Sequence, residues 1–446
     1  MKISRCLFVF FLLAVSSSRV LAAWSVEPSY YLRAEHNDNI YLATASDELA
    51  VTGGAFSPRL AVIMEEENQM FTSDIDVKFT RYSDQEELDR DEGTINLNWR
   101  RGTELSQFRV SVSYFSKSSL DQRLDVSGIT DQQVDVLNTS INPSWLYQFA
   151  ERWSLEFNLS YADVEYDEPG IEGYDYFKVV NFLDYTNKSA GITLIHNFSE
   201  QDDISFTYSE SRYAGKSTGM QSDGVLCGDL FTCFLYFNLP YDYVAQASER
   251  KLDYDYDVWQ IGYQHHFDDA SNLTLQAGRN NTAVQSLTCS HLFDGTYIEF
   301  ATIPCEVTET DQSSRLYNII YKQKSEISSV DISFGRNRVT SSTGGLDETD
   351  TAKIFYNRNI TERLSWSLDI NRENRKPDEN TNTLESEKYS RTNATPSVFY
   401  KLDKDWSMSL GYRYSDLDWE IDNLPRESRL IYLNMTWREP KLFSTN

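Results

Sequence analysis

The sequence predicts an all-β protein: a transmembrane, antiparallel, up-and-down β-barrel of about eighteen strands, between roughly sixteen and eighteen, with short turns on one side and long loops on the other. Three observations carry this. Short segments of strictly alternating polar and apolar residues recur along the chain, a cleavable leader precedes them, and every second connection between them is very short. In Trp153-Ser154-Leu155-Glu156-Phe157-Asn158-Leu159-Ser160-Tyr161 the odd positions make one apolar face and the even positions one polar face when the segment is extended. One face suits lipid and the other suits water.

The leader opens with Met1-Lys2-Ile3-Ser4-Arg5, continues as an apolar run from Cys6 to Val15, and ends at Val20-Leu21-Ala22 before Ala23-Trp24. A basic start, an apolar core too short to span and small residues at the cut describe a secretory signal peptide over residues 1–22. Cleavage after Ala22 leaves 446 minus 22, or 424, residues, which read as a single barrel domain over 23–446. The mature chain has no apolar run of the roughly 18 residues that a membrane helix needs. The mean hydropathy of the full 446-residue chain, −0.51, resembles that of a soluble protein, but a barrel spreads its apolar residues over alternate positions and so hides from such averages.

Aromatic residues make up 14% of the chain, with 28 Tyr, 24 Phe and 9 Trp, a supply that suits the two girdles where lipid meets water. The same composition fits a secreted β-sandwich or β-solenoid, the alternative to a barrel. The leader carries three basic and no acidic residues, so the mature net charge is −27 minus 3, or −30. Nucleic acid is excluded as a partner on that balance. Acidic loops at a cell surface can share divalent cations with the phosphates of outer-membrane lipids and lipopolysaccharide, although a run of charge ordinarily marks a solvated face.

Alternation and turn residues together place the clearest strands at Phe71 to Arg81, Thr94 to Arg100, Gln107 to Phe115, Trp153 to Tyr161, Ile204 to Ser209, Trp259 to Phe267, Leu273 to Gly278, Val330 to Gly335, Leu364 to Asn371, Trp406 to Tyr414 and Ile431 to Trp437. Tight connections are expected at Glu65-Glu66-Glu67-Asn68, Gly102-Thr103-Glu104, Glu151-Arg152, Ser199 to Asp203, Asp268 to Ser271, Ser325-Glu326, Thr361-Glu362-Arg363 and Asp403-Lys404-Asp405. Long polar segments alternate with them: Asn37 to Gly54, Ser83 to Arg90, Ser118 to Thr130, Asp167 to Asn181, Gly215 to Glu249, Asn281 to Asp311, Thr340 to Glu348, Glu373 to Glu387 and Ser415 to Pro425. Pro143 and Pro396 are expected to interrupt the ladders of their strands. Closure needs Trp24 to Glu35 to pair with Leu430 to Trp437, and the tail from Arg438 to Asn446 runs past that strand. Recognition by the barrel-assembly machinery, which reads a terminal aromatic in many such proteins, would then use an internal signal.

The polar faces nominate a lumen wall: Asp74, Asp76, Lys78, Asn96, Arg100, Arg109, Glu156, Asp331, Asp369 and Arg413. They mix charge with amides and hydroxyls, and either line an aqueous path or plug it by pairing across the lumen. The surplus acid sits in loops, as in Asp84-Gln85-Glu86-Glu87-Leu88-Asp89-Arg90-Asp91-Glu92, and a negative mouth favours cations and neutral solutes. Between Gly215 and Glu249 lie Phe231, Phe234, Tyr236, Phe237, Tyr241 and Tyr243. These rings suit an inward constriction or a platform for sugar faces; the plainer reading is an external hairpin that packs on itself.

Cys227, Cys233, Cys289 and Cys305 survive processing, and an even number in an exported chain suggests disulfides. The local pairs Cys227 with Cys233 and Cys289 with Cys305 come first, cross-pairing between loops stays open, and the spacing fits no zinc pattern. His196, His265 and His266 flank tight turns without Ser or Asp at triad spacing, and His36 precedes Asn37-Asp38-Asn39, a turn former. The Gly53-Gly54 and Gly344-Gly345 pairs lack the context of a phosphate loop. No catalytic residues, metal or cofactor are expected.

The mature start Trp24-Ser25-Val26-Glu27-Pro28-Ser29-Tyr30, followed by Asp38-Asn39-Ile40-Tyr41-Leu42, resembles the opening of the type 2 family of bacterial outer-membrane β-barrel porins, often associated with exopolysaccharide biosynthesis or PEP-CTERM sorting systems. The resemblance implies an outer-membrane location in a Gram-negative bacterium and a link to polysaccharide-export components, with no site residues to transfer. The functional expectation is a porin-like channel for passive solute diffusion or exopolysaccharide export. The alternative is a non-conducting surface barrel that holds polysaccharide or cations, and an outer-membrane hydrolase stands third.

Overall fold

The computed structural model describes residues 23–118, 134–167, 170–171, 174–178, 183–220, 245–293, 299–340, 346–377, 388–420, 424–439 and 443–444. The expected leader, residues 1–22, lies outside them.

Eighteen long strands follow one another round a closed wall. The first six are β1 (Ala23–Asn37), β2 (Val51–Glu66), β3 (Gln69–Tyr82), β4 (Arg90–Gly102), β5 (Ser106–Ser118) and β6 (Asp135–Ala150). Next come β7 (Trp153–Asp167), β8 (Asp184–Asn197), β9 (Asp202–Met220), β10 (Ala245–Asp268), β11 (Ser271–Phe293) and β12 (Glu299–Lys324). The circuit ends with β13 (Ser328–Thr340), β14 (Leu346–Asn359), β15 (Leu364–Pro377), β16 (Tyr389–Lys401), β17 (Trp406–Trp419) and β18 (Arg426–Arg438). Each strand pairs antiparallel with its neighbours in sequence, and β18 closes on β1 from Ser29↔Arg438 to Asn37↔Leu430. Closure removes the open edges that an eighteen-strand sheet would otherwise present.

Register divides the side chains into two faces. Ile75, Val77 and Phe79 on β3, Phe157 and Leu159 on β7, Ile261 on β10, and Ile431, Leu433 and Met435 on β18 all point outward and are exposed, Ile261 at 62%. Aromatic residues border this apolar belt. Trp99, Phe108, Trp145, Trp153, Trp406 and Trp437 lie near the tight turns, several of them stacked, as in Trp145 with Phe157 at 5.6 Å and Trp406 with Trp437 at 5.8 Å. Tyr161, Tyr208, Trp259 and Tyr317 share the outward face farther up the strands. A continuous exposed belt of this kind is unstable in water and satisfied in lipid, so the chain is a transmembrane barrel.

Strands stay regular through three prolines because each sits on the outward face and costs the ladder only locally. The β2–β3 register skips from Phe56↔Phe79 to Arg59↔Asp76 around Pro58, β6–β7 skips from Ile141↔Tyr161 to Ser144↔Asn158 around Pro143, and β16–β17 skips from Ala394↔Tyr414 to Ser397↔Gly411 around Pro396. Pro143 and Pro396 therefore break one side of a ladder without ending their strands. On the inner face Gly411 admits the Tyr432 ring where a Cβ would collide with it, and Arg33 lies 4.4 Å above that ring. Beyond Arg438, the Phe443–Ser444 segment returns to β1 at Val26↔Phe443 and Ser25↔Ser444.

Several strands run farther than the alternation suggests. Residues expected in loops at 215–249, 281–311, 340–348, 373–387 and 415–425 in part continue the ladder, most of all in β11 and β12, which pair up to Phe293↔Glu299. The cause is a change of phase. Along β10 the outward residues read Tyr263, Ile261 and Trp259, then Asp257, Asp255 and Asp253; the inward ones read Gln264 and Gln260, then Tyr256, Tyr254 and Leu252. The β9–β10 register is unbroken from Asp202↔His265 to Met220↔Ala247, so no bulge makes the change. Above the lipid belt the outer face meets water, and apolar side chains move inside. There Tyr213 and Tyr254, both 0% exposed, pack with Leu183, Leu252 and Val284.

At the turn side, the Asp202 carboxylate accepts hydrogen bonds from Ser199 Oγ (2.6 Å) and Tyr263 Oη (2.6 Å) and lies 2.8 Å from His265 Nδ1, which hold its pKa down to about 2. Asp403 is likewise lowered by the backbone N–H groups of Asp405 and Trp406. A carboxyl depressed in the folded state stabilises fully above its unfolded pKa of about 3.9 and loses that contribution as pH falls through the folded value. Asp202→Asn is therefore expected to lower the unfolding midpoint at pH 7, with the gap from wild type closing between about pH 4 and 2. Heat-modifiable gel migration over that range reads it.

Candidate functional site: the inner wall and its outer rim

The inner wall is built by parity. Register puts Asp74, Asp76 and Lys78 on the inward side of β3, with Asn96 and Arg100 on β4, Arg109 on β5, Glu156 on β7, Asp331 on β13, Asp369 on β15 and Arg413 on β17. Six of these sit together on the adjacent strands β3, β4 and β5. Arg59 Nε donates to Asp74 at 2.8 Å, Ser57 Oγ donates to Asp76, Lys78 Nζ lies 2.9 Å from Glu92, and Ser113 Oγ donates to Asn96 at 2.8 Å. Arg100 stands directly opposite Arg109, whose Nε donates to Gln107 at 3.0 Å; neither arginine has a carboxylate partner among the described residues. Glu156, Asp369 and Arg413 lie on separate parts of the wall, and Asp331 pairs with Lys322 at 3.7 Å.

Hydroxyls and amides supply much of the rest of this face, interspersed with inward apolar residues such as Leu146, Ile320 and Phe355. Thr193 and Thr207 meet at 3.0 Å, Asn318 Nδ2 donates to Gln276 at 3.2 Å, Ser367 and Ser397 meet at 2.7 Å, and Asn434 Nδ2 donates to Ser409 at 3.1 Å. Such a surface holds water at the level where the outer face holds lipid.

Sequence reasoning did not reach the ionic cluster at the loop side of β14 to β16. Arg375 donates through Nε to Asp347 Oδ2, with side chains 2% and 5% exposed, and its Nη1 donates to Tyr389 Oη at 3.3 Å. Asp347 and Arg375 fall in the segments 340–348 and 373–387 expected to be loops. The missed signal was parity: Arg375 continues the inward series Asp369, Asn371, Glu373.

One loop folds into the mouth. Val51 and Tyr82 face inward at the rim, and Ile40, Tyr41 and Leu49 pack against them and Leu88. Asn39 latches this loop across the closing seam: its Nδ2 donates to Ala43 O (2.8 Å) and Glu427 O (2.9 Å), and its Oδ1 accepts from Ala43 N (3.0 Å). Part of the acidic 84–92 run is neutralised locally, since Arg81 lies 2.7 Å from Asp91 and Lys78 holds Glu92, while Asp84, Glu86 and Glu87 remain exposed.

The histidines make structural contacts. His36 Nδ1 lies 2.8 Å from Thr52 Oγ1, His196 stacks on Trp153 at 4.1 Å, and His265 joins Asp202 as described. Cys289 and Cys305 form a disulfide that joins β11 to β12 at a register shift. Cys227, Cys233, Phe231, Phe234, Tyr236, Phe237, Tyr241 and Tyr243 lie outside the described residues, as does Gly344-Gly345. No helix among the described residues is long and apolar enough to cross a membrane, and no group of three or more metal-binding side chains occurs among them.

No family model and no curated protein matches the chain. Among solved structures, it is similar to OccK3 (OpdO) of Pseudomonas aeruginosa, at 10% identity and a TM-score of 0.41 over 94% of this chain and 96% of that one. The ferric-catecholate import receptor Fiu of E. coli K12 gives 10% identity and 0.47 over 92% and 81%. The ferric citrate transporter FecA gives 9% and 0.46 over 93% and 79%. Scores this low add nothing to the fold established by register and exposure.

Proposed function

We propose that this chain is an outer-membrane channel of the porin type, passing small solutes or serving surface-polysaccharide export, with its tight turns in the periplasm and its long loops outside the cell. The observation that carries this reading is the polar inner wall running the full height of the apolar belt inside an eighteen-strand cylinder, a size that commonly leaves an aqueous path. The polysaccharide link rests on the resemblance of the mature start alone. Lipopolysaccharide, outer-membrane lipids and the barrel-assembly machinery are the partners this location implies. Purified protein in planar bilayers is expected to give discrete conductance steps.

Two charge fields lie in series along the path. Exposed Asp84, Glu86 and Glu87 at the rim favour cations, whereas Arg100 and Arg109 near the turn side favour anions. Replacing both arginines, R100Q/R109Q, is expected to raise the cation-to-anion permeability ratio by about twofold. Reversal potentials across a KCl gradient measure it, and an unchanged ratio removes these arginines from the path.

A second reading, a surface barrel that binds polymer or cations without conducting, draws on the first loop, which folds over the inner rim. Protein that inserts but never conducts favours it. After gene deletion, polymer trapped in the periplasm supports export, and polymer secreted normally but poorly retained supports binding.

A further inference from the structure

We propose that the outward face of β8 to β12, just above the apolar belt, is a binding site for the headgroup of a phosphorylated glycolipid in the outer leaflet, with Arg279 and Arg315 as its phosphate clamp. The assignment rests on the membrane location proposed above and deepens it.

Three rows of outward side chains cross these strands in register. The upper row is Lys188, Arg212, Asp255, Ala283 and Asp311; the middle row is Ala190, Glu210, Asp257, Asn281 and Ser313; the lower row is Ile192, Tyr208, Trp259, Arg279 and Arg315. The upper two rows, with Tyr208, line a groove of about 960 Å³. Below the lower row the outward residues are Phe206, Ile261, Ala277 and Tyr317, then Ile204, Tyr263, Leu275 and Ile319.

Height sets the occupant. Arg279 lies eight residues past Ser271, and Arg315 lies nine before Lys324. At roughly 3.3 Å per residue and a strand tilt of about 40°, eight or nine residues rise about 20–23 Å, which approaches the full height of a lipid-facing belt of about 25 Å. The outward side chains that make most of the groove's lining meet lipid headgroups at that height, not bulk solvent.

Charge sets the chemistry. The chain carries 68 acidic residues against 41 basic ones, and carboxylates line the groove two residues above. Even so, Arg279 spends its Nε on the Ser313 hydroxyl at 2.8 Å, and neither Arg279 nor Arg315 has a carboxylate partner among the described residues. Like charges directly opposite on neighbouring strands repel unless an anion lies between them. Two arginines on directly opposite residues at a membrane surface offer paired guanidinium donors of the kind that bind a phosphate monoester. The carboxylates and Asn281 above accept from and donate to sugar hydroxyls, and Ala277, Leu275 and Ile319 continue beneath the acyl chains. Phosphate, sugar and hydrocarbon thus meet matching surfaces in the vertical order that a phosphoglycolipid presents them.

The test uses the refolded full-length barrel in detergent, with binding of bisphosphorylated lipid A read by native mass spectrometry. Dephosphorylated lipid A and inorganic phosphate serve as the other probes. R279Q/R315Q is expected to weaken lipid A binding about tenfold or more while keeping heat-modifiable migration, and dephosphorylated lipid A should bind the wild type as weakly as lipid A binds the variant. R358Q, which changes an outward arginine beside a tight turn, should bind as wild type. Equal lipid A occupancy in wild type and R279Q/R315Q overturns the proposal, as does an equal loss in R358Q. Displacement of lipid A by millimolar inorganic phosphate would mark a free-anion site and overturn the lipid assignment. A barrel that conducts but takes up no lipid A sinks this site alone, and one that enters no membrane removes the reading beneath it.

Discussion

Ile261→Arg is expected to abolish most barrel assembly, whereas Gln260→Arg, one residue away, leaves it intact. Ile261 stands outward on β10, seven residues from the turn residue Asp268 and inside the apolar belt, two residues below Trp259. An arginine on the lipid face of a barrel costs most at the bilayer midplane, about 2–4 kcal/mol, and less toward either interface. That is a large share of the roughly 5–15 kcal/mol by which folded proteins exceed their unfolded chains. Gln260 faces the polar interior, where a guanidinium stays hydrated. The folded fraction by heat-modifiable migration after insertion into vesicles separates the two variants. Equal assembly of both would mean that the outward face does not meet lipid.

Arg375→Met is the second large effect. It withdraws the guanidinium from the buried Asp347 carboxylate and from the Tyr389 hydroxyl. Removing one member of a buried ion pair typically costs about 3–5 kcal/mol, because the remaining charge is left in a poor solvent. Replacing both members with neutral residues of similar size costs far less, so D347N/R375M is expected to recover most of the loss. Urea unfolding of the four species in the mutant cycle measures the coupling. A double variant as unstable as the sum of the singles would show that the pair is not coupled. Both residues lie on the loop side of β14 and β15, so this loss tests the rim rather than the membrane segment.

The barrel was legible from sequence because lipid outside and water inside impose opposite demands on alternate residues. Trp153 to Tyr161 states that demand without exception, and the eight tight connections fall between paired strands. Legibility stopped where the outer solvent changed. In Leu252-Asp253-Tyr254-Asp255-Tyr256-Asp257 the alternation persists with reversed phase. Read as one continuous strand with Trp259 and Ile261, it looks like a contradiction, and so the expected strand starts only at Trp259 and leaves the segment unassigned. Tyr213 was lost in the same way, whereas Asp347 and Arg375, which keep the inward polar phase, were lost because their segments were read as loops. Arg59, which meets Asp74 on the inner wall, was missed because Pro58 and its neighbours blur the alternation of β2. Pro143 and Pro396 interrupt one ladder each, as expected, and because an outward proline removes only one donor their strands continue. The pairing of Cys289 with Cys305 was legible from their closeness in sequence, whereas the facing arginines 279 and 315 depend on a register that no single strand reveals.

The reversal of phase between Val258 and Trp259 also fixes how deep the molecule rides. Sinking by one two-residue repeat, about 5 Å along the membrane normal for a tilted strand, would drag the carboxylates of Asp257 and Glu210 into hydrocarbon. Rising by the same step would lift Ile204 and Ile261 toward water. Neither drift is cheap, so the protein has a waterline written into its chain, and a bilayer of different thickness must deform to meet it.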